Sequence, residues 1–527
     1  MIFWGRTTGR ESARGSFQRN ARTFAGRCSR TMVAFVLAFS AGIFSSVLPA
    51  NAANIQNIDL GKAAQVWFAE DHTVPVVAFN ISLPAGSAYD PGGKAGLAAF
   101  AGAMMDEGAG GLDSKAFHEA LANRAISFSA RAERDYLVIS ISTLKENAPE
   151  AMHLLQLALT HPRFDNDALT RVRAQIIQSL QQDQVEPQRV AARGFAREFF
   201  GGHAYAHPIT GEIASISSIT AQDLRNFART HWVKNGLKVA VAGDISAPAL
   251  TKLLAEAFLP VSGAAPPSLP NVGRLGAPGV HVIPLPVPQP TAVFGLPGIM
   301  RQDPDFIPGY VANYVLGGGG FSARLMQEVR EKRGLTYGIS TALTAYNKAA
   351  VMQGSVATRA NAVRQTVQVV KETLAKFAAE GPTQQELDDA KTYLTGSFPL
   401  AFASNGGTAS QLGTFQRQNL DIGYVARRNS LVQAVTLADV KRVSKRLFDP
   451  AKLTVVIGGS PAESGRPAPQ VPKPPVRPTP APPPGETAAT PAPQVLGVTP
   501  PSKPVDKPVT GPVTAPQTNG QAAKKPP

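Results

Sequence analysis

Cysteine is nearly absent from the 527-residue sequence, which has a single one at position 28. One cysteine excludes a disulfide framework and any zinc cluster built on cysteine. Acidic residues are also few, 37 against 52 lysines and arginines, and the formal net charge is +15. Residues 1–31 carry a net +6 and the residues from Ser460 onward a net +4, which leaves +5 for the middle. No basic stripe interleaved with aromatic residues crosses this middle part, so we expect no nucleic-acid binding.

The N-terminus has the order of an export signal. Arginine-bearing residues 1–31 precede an apolar run, VAFVLAFSAGIFSSVL, and Ala50 and Ala52 then fit a cleavage site. We predict a signal peptide over residues 1–52, cleaved after Ala52, with Met32 as an alternative start. The alternative is an uncleaved membrane anchor, for which the run is short. The sequence therefore predicts a periplasmic or otherwise exported protein, associated with a membrane only if the signal is not cleaved.

The C-terminus is dominated by proline, alanine and threonine, as in VPKPPVRPTPAPPPG. Such a composition cannot bury enough apolar surface to offset the entropic cost of ordering the chain. We therefore predict a proline-rich disordered tail over residues 460–527, partly in the polyproline II conformation.

The region between the two ends contains a duplication, interrupted by a linker-like stretch at 262–279. In each copy a Thr-x-x-Asp sequence opens an apolar-periodic helix, a strand follows, and the strand ends at a glycine. Four pairs of positions are all 216 residues apart: Thr220 and Thr436, Asp223 and Asp439, Leu237 and Leu453, Gly243 and Gly459. A repeat of this size predicts two similar lobes, one over 53–261 and the other over 280–459.

Strands and helices are grouped in both lobes rather than strictly alternating. Apolar periodicity predicts helices over 147–159 and 360–377, and alternation predicts strands over 137–142, 292–296 and 351–356. We therefore expect an α+β fold with two homologous lobes, each a mainly antiparallel sheet with helices packed on one face.

One helix of the first lobe carries a family resemblance. The segment GLAAFAGAMMDEG begins at Gly96 and resembles the G-L-A-H-F-L-E-H-M helix of the insulinase/pitrilysin zinc metallopeptidases, which also consist of paired lobes. The resemblance covers nearly all of residues 57–459. In that family the helix carries His-x-x-Glu-His, two zinc ligands and the glutamate that activates the bound water. Here those three positions are Ala99, Gly102 and Ala103, none of which can bind a metal or accept a proton.

No replacement for the zinc site is evident elsewhere in the sequence. The family's third ligand is a glutamate roughly 75 residues further on, but residues 168–182 read ALTRVRAQIIQSLQQ, without a carboxylate. His203 and His207 are four residues apart, yet Gly201-Gly202 precede them and Pro208 follows, which predicts a structural turn. We therefore expect no metal and no cofactor in this chain.

A segment of the second lobe resembles the part of the same family that contacts substrate. Residues 316–338 read LGGGGFSARLMQEVREKRGLTYG, and Arg330 and Tyr337 match the family's substrate-contacting pair. The resemblance implies a substrate loop at Gly318, Gly319, Gly320 and Ser322, and we expect Ser322 to cap the helix that follows. Arg330 would lie late on that helix and Tyr337 at the start of the next strand. The alternative is that Arg330 pairs with Glu331 or Glu328 while Tyr337 is a half-buried strand residue.

Some members of this family divide the chemistry between two chains, and the resemblance implies that this sequence is the chain without zinc. It would bind peptide substrate through Arg330 and Tyr337, while a homologous partner subunit supplies the zinc and the catalytic glutamate. The expected function is therefore that of a non-catalytic subunit of a heterodimeric periplasmic zinc metallopeptidase. The alternative is a catalytically inert two-lobe scaffold or assembly protein of the cell envelope.

Overall fold

A computed structural model of the protein describes residues 55–61 and 64–461. The predicted export signal, its cleavage site and all but the first two residues of the proline-rich tail lie outside the described residues, so they stay predictions. Within the described residues, no helix is both long enough and apolar enough to cross a membrane.

The first half of the described chain forms a six-stranded sheet, a two-stranded hairpin and a set of helices. Its strands are β1 (Ile55–Ile58), β2 (Ala64–Glu70), β3 (Val76–Leu83), β4 (Gly108–Ala109), β5 (Leu112–Asp113), β6 (Ser127–Ala132), β7 (Leu137–Leu144) and β8 (Leu237–Gly243). Its α-helices are α1 (Leu97–Ala103), α2 (Ser114–Asn123), α3 (Ala148–Thr160), α4 (Asn166–Asp183), α5 (Pro187–Phe200), α6 (Ile213–Ser218), α7 (Ala221–His231) and α8 (Ala247–Phe258).

The second half forms a five-stranded sheet with its own helices. Its strands are β9 (Gly279–Ile283), β10 (Thr291–Pro297), β11 (Ile339–Ala345), β12 (Ala350–Ala357) and β13 (Thr454–Gly458). Its α-helices are α9 (Phe306–Asn313), α10 (Arg324–Met326), α11 (Val363–Glu380), α12 (Gln384–Ser397), α13 (Asn405–Arg417), α14 (Tyr424–Gln433) and α15 (Leu437–Leu447). Two π-helical turns, Tyr314–Gly318 and Gln327–Glu331, flank α10.

The two sheets have the same strand order, which confirms the duplication. The first runs β6-β7-β3-β8-β2-β1 and the second β11-β12-β10-β13-β9, so that within the six-stranded sheet only β1 has no counterpart among the described residues. Each sheet is antiparallel except for one parallel pair, β2 with β8 in the first and β9 with β13 in the second. The α+β fold of two similar lobes is therefore confirmed.

Both copies of the repeated sequence pattern have the predicted local structure. Thr220 and Thr436 each cap a helix and exchange two hydrogen bonds with the aspartate three residues on. The glycines that end the two strands both have positive φ, 138° at Gly243 and 135° at Gly459. A side chain at Gly243 would also clash with the chain, because an added Cβ would lie 2.1 Å from the carbonyl oxygen of Val76. These glycines are needed for backbone shape as well as for space.

The face of each sheet opposite its own helices is covered by a helix from the other half. Helix α5, from the first half, packs on β10 and β13 and buries Phe195 against Val293 and Val456. Helix α13, from the second half, packs on β3 and β8 and buries Leu412 against Trp67. The first residues of the two helices, Pro187 and Asn405, are 218 positions apart, so the exchanged helices are equivalent elements of the repeat.

Close approach and buried hydrogen bonds hold each exchanged helix in place. On α13, an added Cβ at Gly413 would lie 2.1 Å from the amide oxygen of Asn80, so only glycine fits at this distance. Gln416 is fully buried, and its Nε2 donates to the carbonyl oxygens of Gln65 at 3.0 Å and Val239 at 3.1 Å. Gly194 likewise allows close approach of α5 to the second sheet, because an added Cβ would lie 2.5 Å from a side-chain carbon of β9. Neither sheet is therefore complete without the other half of the chain.

Candidate functional site

The helix that would carry the zinc motif begins with its local geometry intact. Gly96 precedes α1 with φ of 91°, and an added Cβ would lie 2.7 Å from the Cα of Gly211. The buried Asp90 carboxylate accepts hydrogen bonds from the backbone N–H groups of Gly96 at 2.7 Å and Ala98 at 2.8 Å. Burial raises the pKa of Asp90 to about 7, although the backbone hydrogen bonds oppose the rise. The backbone at the start of α1 is thus well ordered by hydrogen bonds, although the helix has no zinc ligand and no catalytic glutamate.

The three motif positions supply no metal ligands, and the middle one is closely packed. Ala99 and Ala103 are half-buried, and Gly102 is buried so closely that an added Cβ would lie 2.8 Å from Cδ1 of Leu137. Helix α4, where a third ligand would be expected, contributes Leu180 to the same apolar core. The residues present therefore do not fit a catalytic zinc ion.

Three potential metal ligands do lie together just beyond α1, but the guanidinium of Arg171 already binds one of them, Glu107. Asp106, Glu107 and His118 have ligand atoms within 4.8 Å of one another. Both terminal nitrogens of Arg171 bind the Glu107 carboxylate, and the Ser114 hydroxyl donates to it at 2.5 Å. Burial acts to raise the pKa of Glu107, but the bonds from Arg171 and Ser114 outweigh it and the pKa is lowered. We interpret this group as a structural ion pair.

His203 and His207 lie in a short turn, as the sequence predicts. His203 Nδ1 accepts from the backbone N–H of Tyr205, and His207 ends the 3-10 helix that follows. His203 Nε2 lies 3.1 Å from the carbonyl oxygen of Pro270, so its ring is fully occupied by local hydrogen bonds.

The glycine run of the second half packs against the edge strand β11. An added Cβ at Gly317 would lie 2.4 Å from Oγ1 of Thr341, and Gly320 has φ of 61°. The expectation that Ser322 caps the next helix is wrong. Ala323 occupies the cap position, and the Ser322 hydroxyl instead donates to the carbonyl oxygen of Gly319 at 2.9 Å. The reason is that residues 320–322 continue as a 3-10 turn, which places Ser322 one residue too early.

Arg330 and Tyr337 are both at the surface, and no hydrogen bond joins them in the described part of the chain. Arg330 lies on the second π-helical turn, with its guanidinium 4.6 Å from the ring centre of Phe321 and its Nε 3.5 Å from Glu331. Tyr337 lies two residues before β11 and is 90% exposed, so it is not the half-buried strand residue of the alternative interpretation. Tyr337 is therefore open to a second molecule, whereas the Arg330 side chain is 33% exposed.

A strong ion pair holds this segment to the rest of the second half. Arg324 Nε and Nη2 each lie 2.7 Å from a carboxylate oxygen of Glu386, in a two-bond fork. Glu386 also accepts from the backbone N–H of Thr383 and completes the capping box of α12. The fork positions the start of α10, six residues before Arg330.

Beside this segment lies a cavity of about 960 Å³. Gly318, Gly319, Gly320 and Phe321 line it, together with β11, α9, α13 and α14, and α5 of the first half adds Gln188 and Ala192. Arg330, Tyr337 and Ser322 do not line it, but Phe321 does, and Phe321 is 69% exposed. Part of the predicted substrate loop therefore lies on a cavity, and Arg330 of the predicted pair contacts it through Phe321.

Two arginines of this cavity were missed by the sequence analysis. Arg301 and Arg428 are 9% and 7% exposed, and they are the only buried lysine or arginine side chains among the described residues. The Arg301 guanidinium lies over the rings of Phe306 and Tyr424, at 4.1 Å and 4.8 Å. Nothing in the sequence distinguishes these arginines from surface ones, since Arg428 directly follows the exposed Arg427.

Comparison with known proteins gives two matches to one family. The model for the insulinase domain of peptidase family M16 matches residues 65–212, and the model for the inactive domain of peptidase M16 matches residues 218–394. A Helicobacter pylori protein described as the non-peptidase homolog YmxG is 29% identical over 386 residues, which is 73% of this chain and 88% of that protein.

Solved structures of the same family share the fold. The crystal structure of a peptidase M16 inactive domain from Pseudomonas fluorescens has a TM-score of 0.74 at 29% identity and covers 79% of this chain and 100% of its own. A chain of complex III2 from Candida albicans has a TM-score of 0.65 at 14% identity, covering 77% of this chain and 96% of its own, which shows the fold alone. With the duplicated sheets and the replaced zinc motif, these matches show that the chain belongs to the insulinase family of peptidases, family M16, as a non-catalytic member.

Proposed function

We propose that the protein is the substrate-binding subunit of a heterodimeric zinc metallopeptidase of the periplasm. The observation that carries the proposal is a contrast between the two halves. The first half has alanine or glycine, which cannot bind a metal ion, at all three motif positions. The second half keeps the Arg330 and Tyr337 segment, in which Tyr337 is exposed and the partly exposed Arg330 stacks on Phe321 of the cavity wall.

The chemistry of Arg330 and Tyr337 suits the transition state of peptide hydrolysis. A guanidinium and a phenol both donate hydrogen bonds to a peptide carbonyl, and they bind more strongly to the negative charge that develops on its oxygen. Arg330 is steadied by the Phe321 ring, 4.6 Å from its guanidinium carbon, and this contact leaves the guanidinium edge available. Glu331, 3.5 Å away, is exposed and competes only weakly for the charge.

The partner subunit would supply what this chain lacks. We expect it to be a homologous chain with His-x-x-Glu-His, which holds zinc and activates water, and to offer an edge strand for the extended substrate. Its active site would face Arg330 and Tyr337 across a shared chamber.

The test is peptide hydrolysis by the two chains expressed together. Arg330→Ala combined with Tyr337→Phe is expected to lower kcat/KM by about two orders of magnitude, the effect of losing oxyanion donors. Arg333→Ala is the matched control, since Arg333 lies on the same segment but its side chain is bound to Glu328. An unchanged kcat/KM in the double variant would refute the composite site. Chelator-sensitive hydrolysis by the purified chain alone would refute the division of labour.

A scaffold or assembly role is the second candidate. It is favoured by the lack of a hydrogen bond between Arg330 and Tyr337 in the described residues, since nothing there holds the two side chains together. Affinity purification of the tagged protein distinguishes the two. Recovery of a homologous chain with His-x-x-Glu-His supports the peptidase subunit, and recovery of envelope proteins without such a chain supports the scaffold.

A further inference from the structure

The cavity beside the glycine run has an unusual electrostatic character. Arg301 and Arg428 are the charged residues of its wall, and no aspartate or glutamate lines it. A guanidinium stays charged in a protein, and removing it from water costs several kcal/mol unless an opposite charge compensates. Both arginines are more than nine-tenths buried, yet neither lies within 4.0 Å of a carboxylate of the described residues.

Two less deeply buried arginines, Arg324 and Arg417, follow the ordinary rule. Arg324 forms the two-bond fork with Glu386, and Arg417 lies 3.5 Å from Glu133. Buried charges are normally paired in this way. Arg301 and Arg428 are exceptions, and both of them line the same cavity.

The two unpaired guanidiniums keep donors free for a ligand. Arg301 donates from Nε to Gln418 at 3.0 Å, while its two terminal nitrogens donate to no group of the described residues. Arg428 donates from Nη1 to the carbonyl oxygen of Leu394 and to Asn429, and its Nη2 lies 3.4 Å from the Tyr310 hydroxyl. Aromatic rings cover the faces of both guanidiniums, so the donors that remain lie in the guanidinium plane, where a planar carboxylate binds best.

The rest of the wall suits a peptide. Its polar groups are hydroxyls and side-chain amides, which can bond peptide N–H and C=O groups; they include Gln188, Gln353, Ser355, Gln411 and Thr414. Aromatic rings supply apolar contact area, as in many ligand sites of 300–1,000 Å³. The exposed Phe321 lines the cavity and also stacks on Arg330, so the cavity wall continues to the proposed substrate contact.

We propose that this cavity binds the carboxylate of a peptide through Arg301 and Arg428. The carboxylate comes either from an acidic side chain or from a peptide C-terminus. The proposal rests on the proposed function only in taking the ligand to be a peptide. It needs neither the partner subunit nor zinc.

Binding to the full chain, without a partner, tests the proposal. Three fluorescein-labelled, nine-residue peptides serve as probes: one with two central glutamates and blocked ends, one with glutamines instead, and the glutamine peptide with a free C-terminal carboxylate. Fluorescence anisotropy is expected to show at least one carboxylate probe binding about tenfold or more tightly than the blocked glutamine probe, as for one charge-assisted hydrogen bond. The tighter of the two carboxylate probes identifies the source.

Variants of the two arginines show whether they cause this preference. Arg301→Met and Arg428→Met are expected to remove it, and Arg301→Lys to retain part of it. Arg427→Met is the matched control, because Arg427 is on the same helix, is exposed and pairs with Asp421. Thermal unfolding with and without probe verifies that each variant is folded and that the probe stabilises wild type more than the methionine variants.

Three outcomes would overturn the proposal. The wild-type chain could bind all three probes equally. The preference could survive in both folded methionine variants. Inorganic phosphate could raise the unfolding temperature while no peptide carboxylate binds. Because catalysis is not measured, these outcomes leave the Arg330 and Tyr337 test unaffected, and a failure of that test leaves this one standing.

Discussion

Replacing Gly458 with alanine tests whether the exchanged helices join the two halves into one cooperative unit. Gly458 ends β13 in the second half and lies beneath α5 of the first half. An added Cβ would lie 2.3 Å from the carbonyl oxygen of Pro187 and 3.0 Å from the backbone nitrogen of Ala191. Backbone atoms of a helix cannot rotate away, so the helix must move from the sheet. Overpacking of this kind costs about 1–3 kcal/mol of unfolding free energy.

The two described tryptophans make the effect measurable in the other half. Trp67 and Trp232 are 1% and 2% exposed, and both belong to the first half. Trp67 also contacts α13 of the second half, so in a Trp4→Phe, Trp67→Phe background the fluorescence of Trp232 during urea unfolding reports on the core of the first half. If the exchange couples the halves, Gly458→Ala shifts the fluorescence midpoint to lower urea, although the substitution lies in the second half.

The matched control is Gly396→Ala on α12. Gly396 is exposed, and an added Cβ would meet nothing within 4 Å. Alanine in place of glycine stabilises a helix by up to about 1 kcal/mol. The urea midpoint of Gly396→Ala should therefore equal or exceed that of the wild type. The reasoning is refuted if Gly458→Ala leaves the fluorescence midpoint of the first half unchanged while circular dichroism shows a separate, earlier loss of structure.

Three further predictions concern metal, pH and the Arg324 fork. Restoring the motif with Ala99→His, Gly102→Glu and Ala103→His should not give stoichiometric zinc by metal analysis, because residues 168–182 of α4 have no carboxylate for a third ligand and a packed leucine obstructs position 102. Burial lowers the pKa of His231 from 6.5 to about 4. Between pH 6.5 and about 4 the imidazole is therefore protonated in the unfolded chain but not in the folded protein. Stability should fall as pH drops through that window, by up to about 3 kcal/mol, and His231→Gln should remove this part of the pH dependence in urea titrations. Arg324→Lys loses the fork and should lower the unfolding free energy by about 1–2 kcal/mol in the same assay.

Each of these results has a clear contrary outcome. Tight stoichiometric zinc in the restored variant would show that the first half still provides a metal site. An unaltered pH profile in His231→Gln would assign the acid sensitivity to other groups, such as the paired carboxylates. Wild-type stability in Arg324→Lys would show that a single point charge is sufficient opposite Glu386.

Local features of the fold could be predicted from the sequence because they depend on neighbouring residues. Thr220 and Thr436 cap their helices, and Gly243 and Gly459 end their strands in positive-φ conformations, since capping and glycine conformation are decided within a few positions. The constant offset then predicted two lobes with the same topology. Ser322 shows the limit of the same reasoning, since one extra residue of 3-10 turn moved the helix start to Ala323.

Long-range pairing could not be predicted in this way. Helical periodicity indicates that α5 and α13 each have an apolar face, but it does not indicate which sheet that face covers. The burial of Arg301 and Arg428 in the cavity wall could not be predicted either, because it also depends on long-range packing. Arg427 and Arg428 are adjacent, and only the packing of α14 places one in solvent and the other among the rings of Phe398 and Tyr310. Burial of a charge is a property of the assembled fold rather than of the residue.

The exchange of helices also sets a constraint on synthesis. All strands of the first sheet have been synthesised once Gly243 has been made, but α13, which covers the second face of that sheet, ends at Arg417. The intervening 174 residues take roughly 9–35 seconds to translate at about 5–20 residues per second. During that time Trp67 and its apolar neighbours have no covering helix, so the nascent chain carries an open, aggregation-prone surface until most of its second half has emerged.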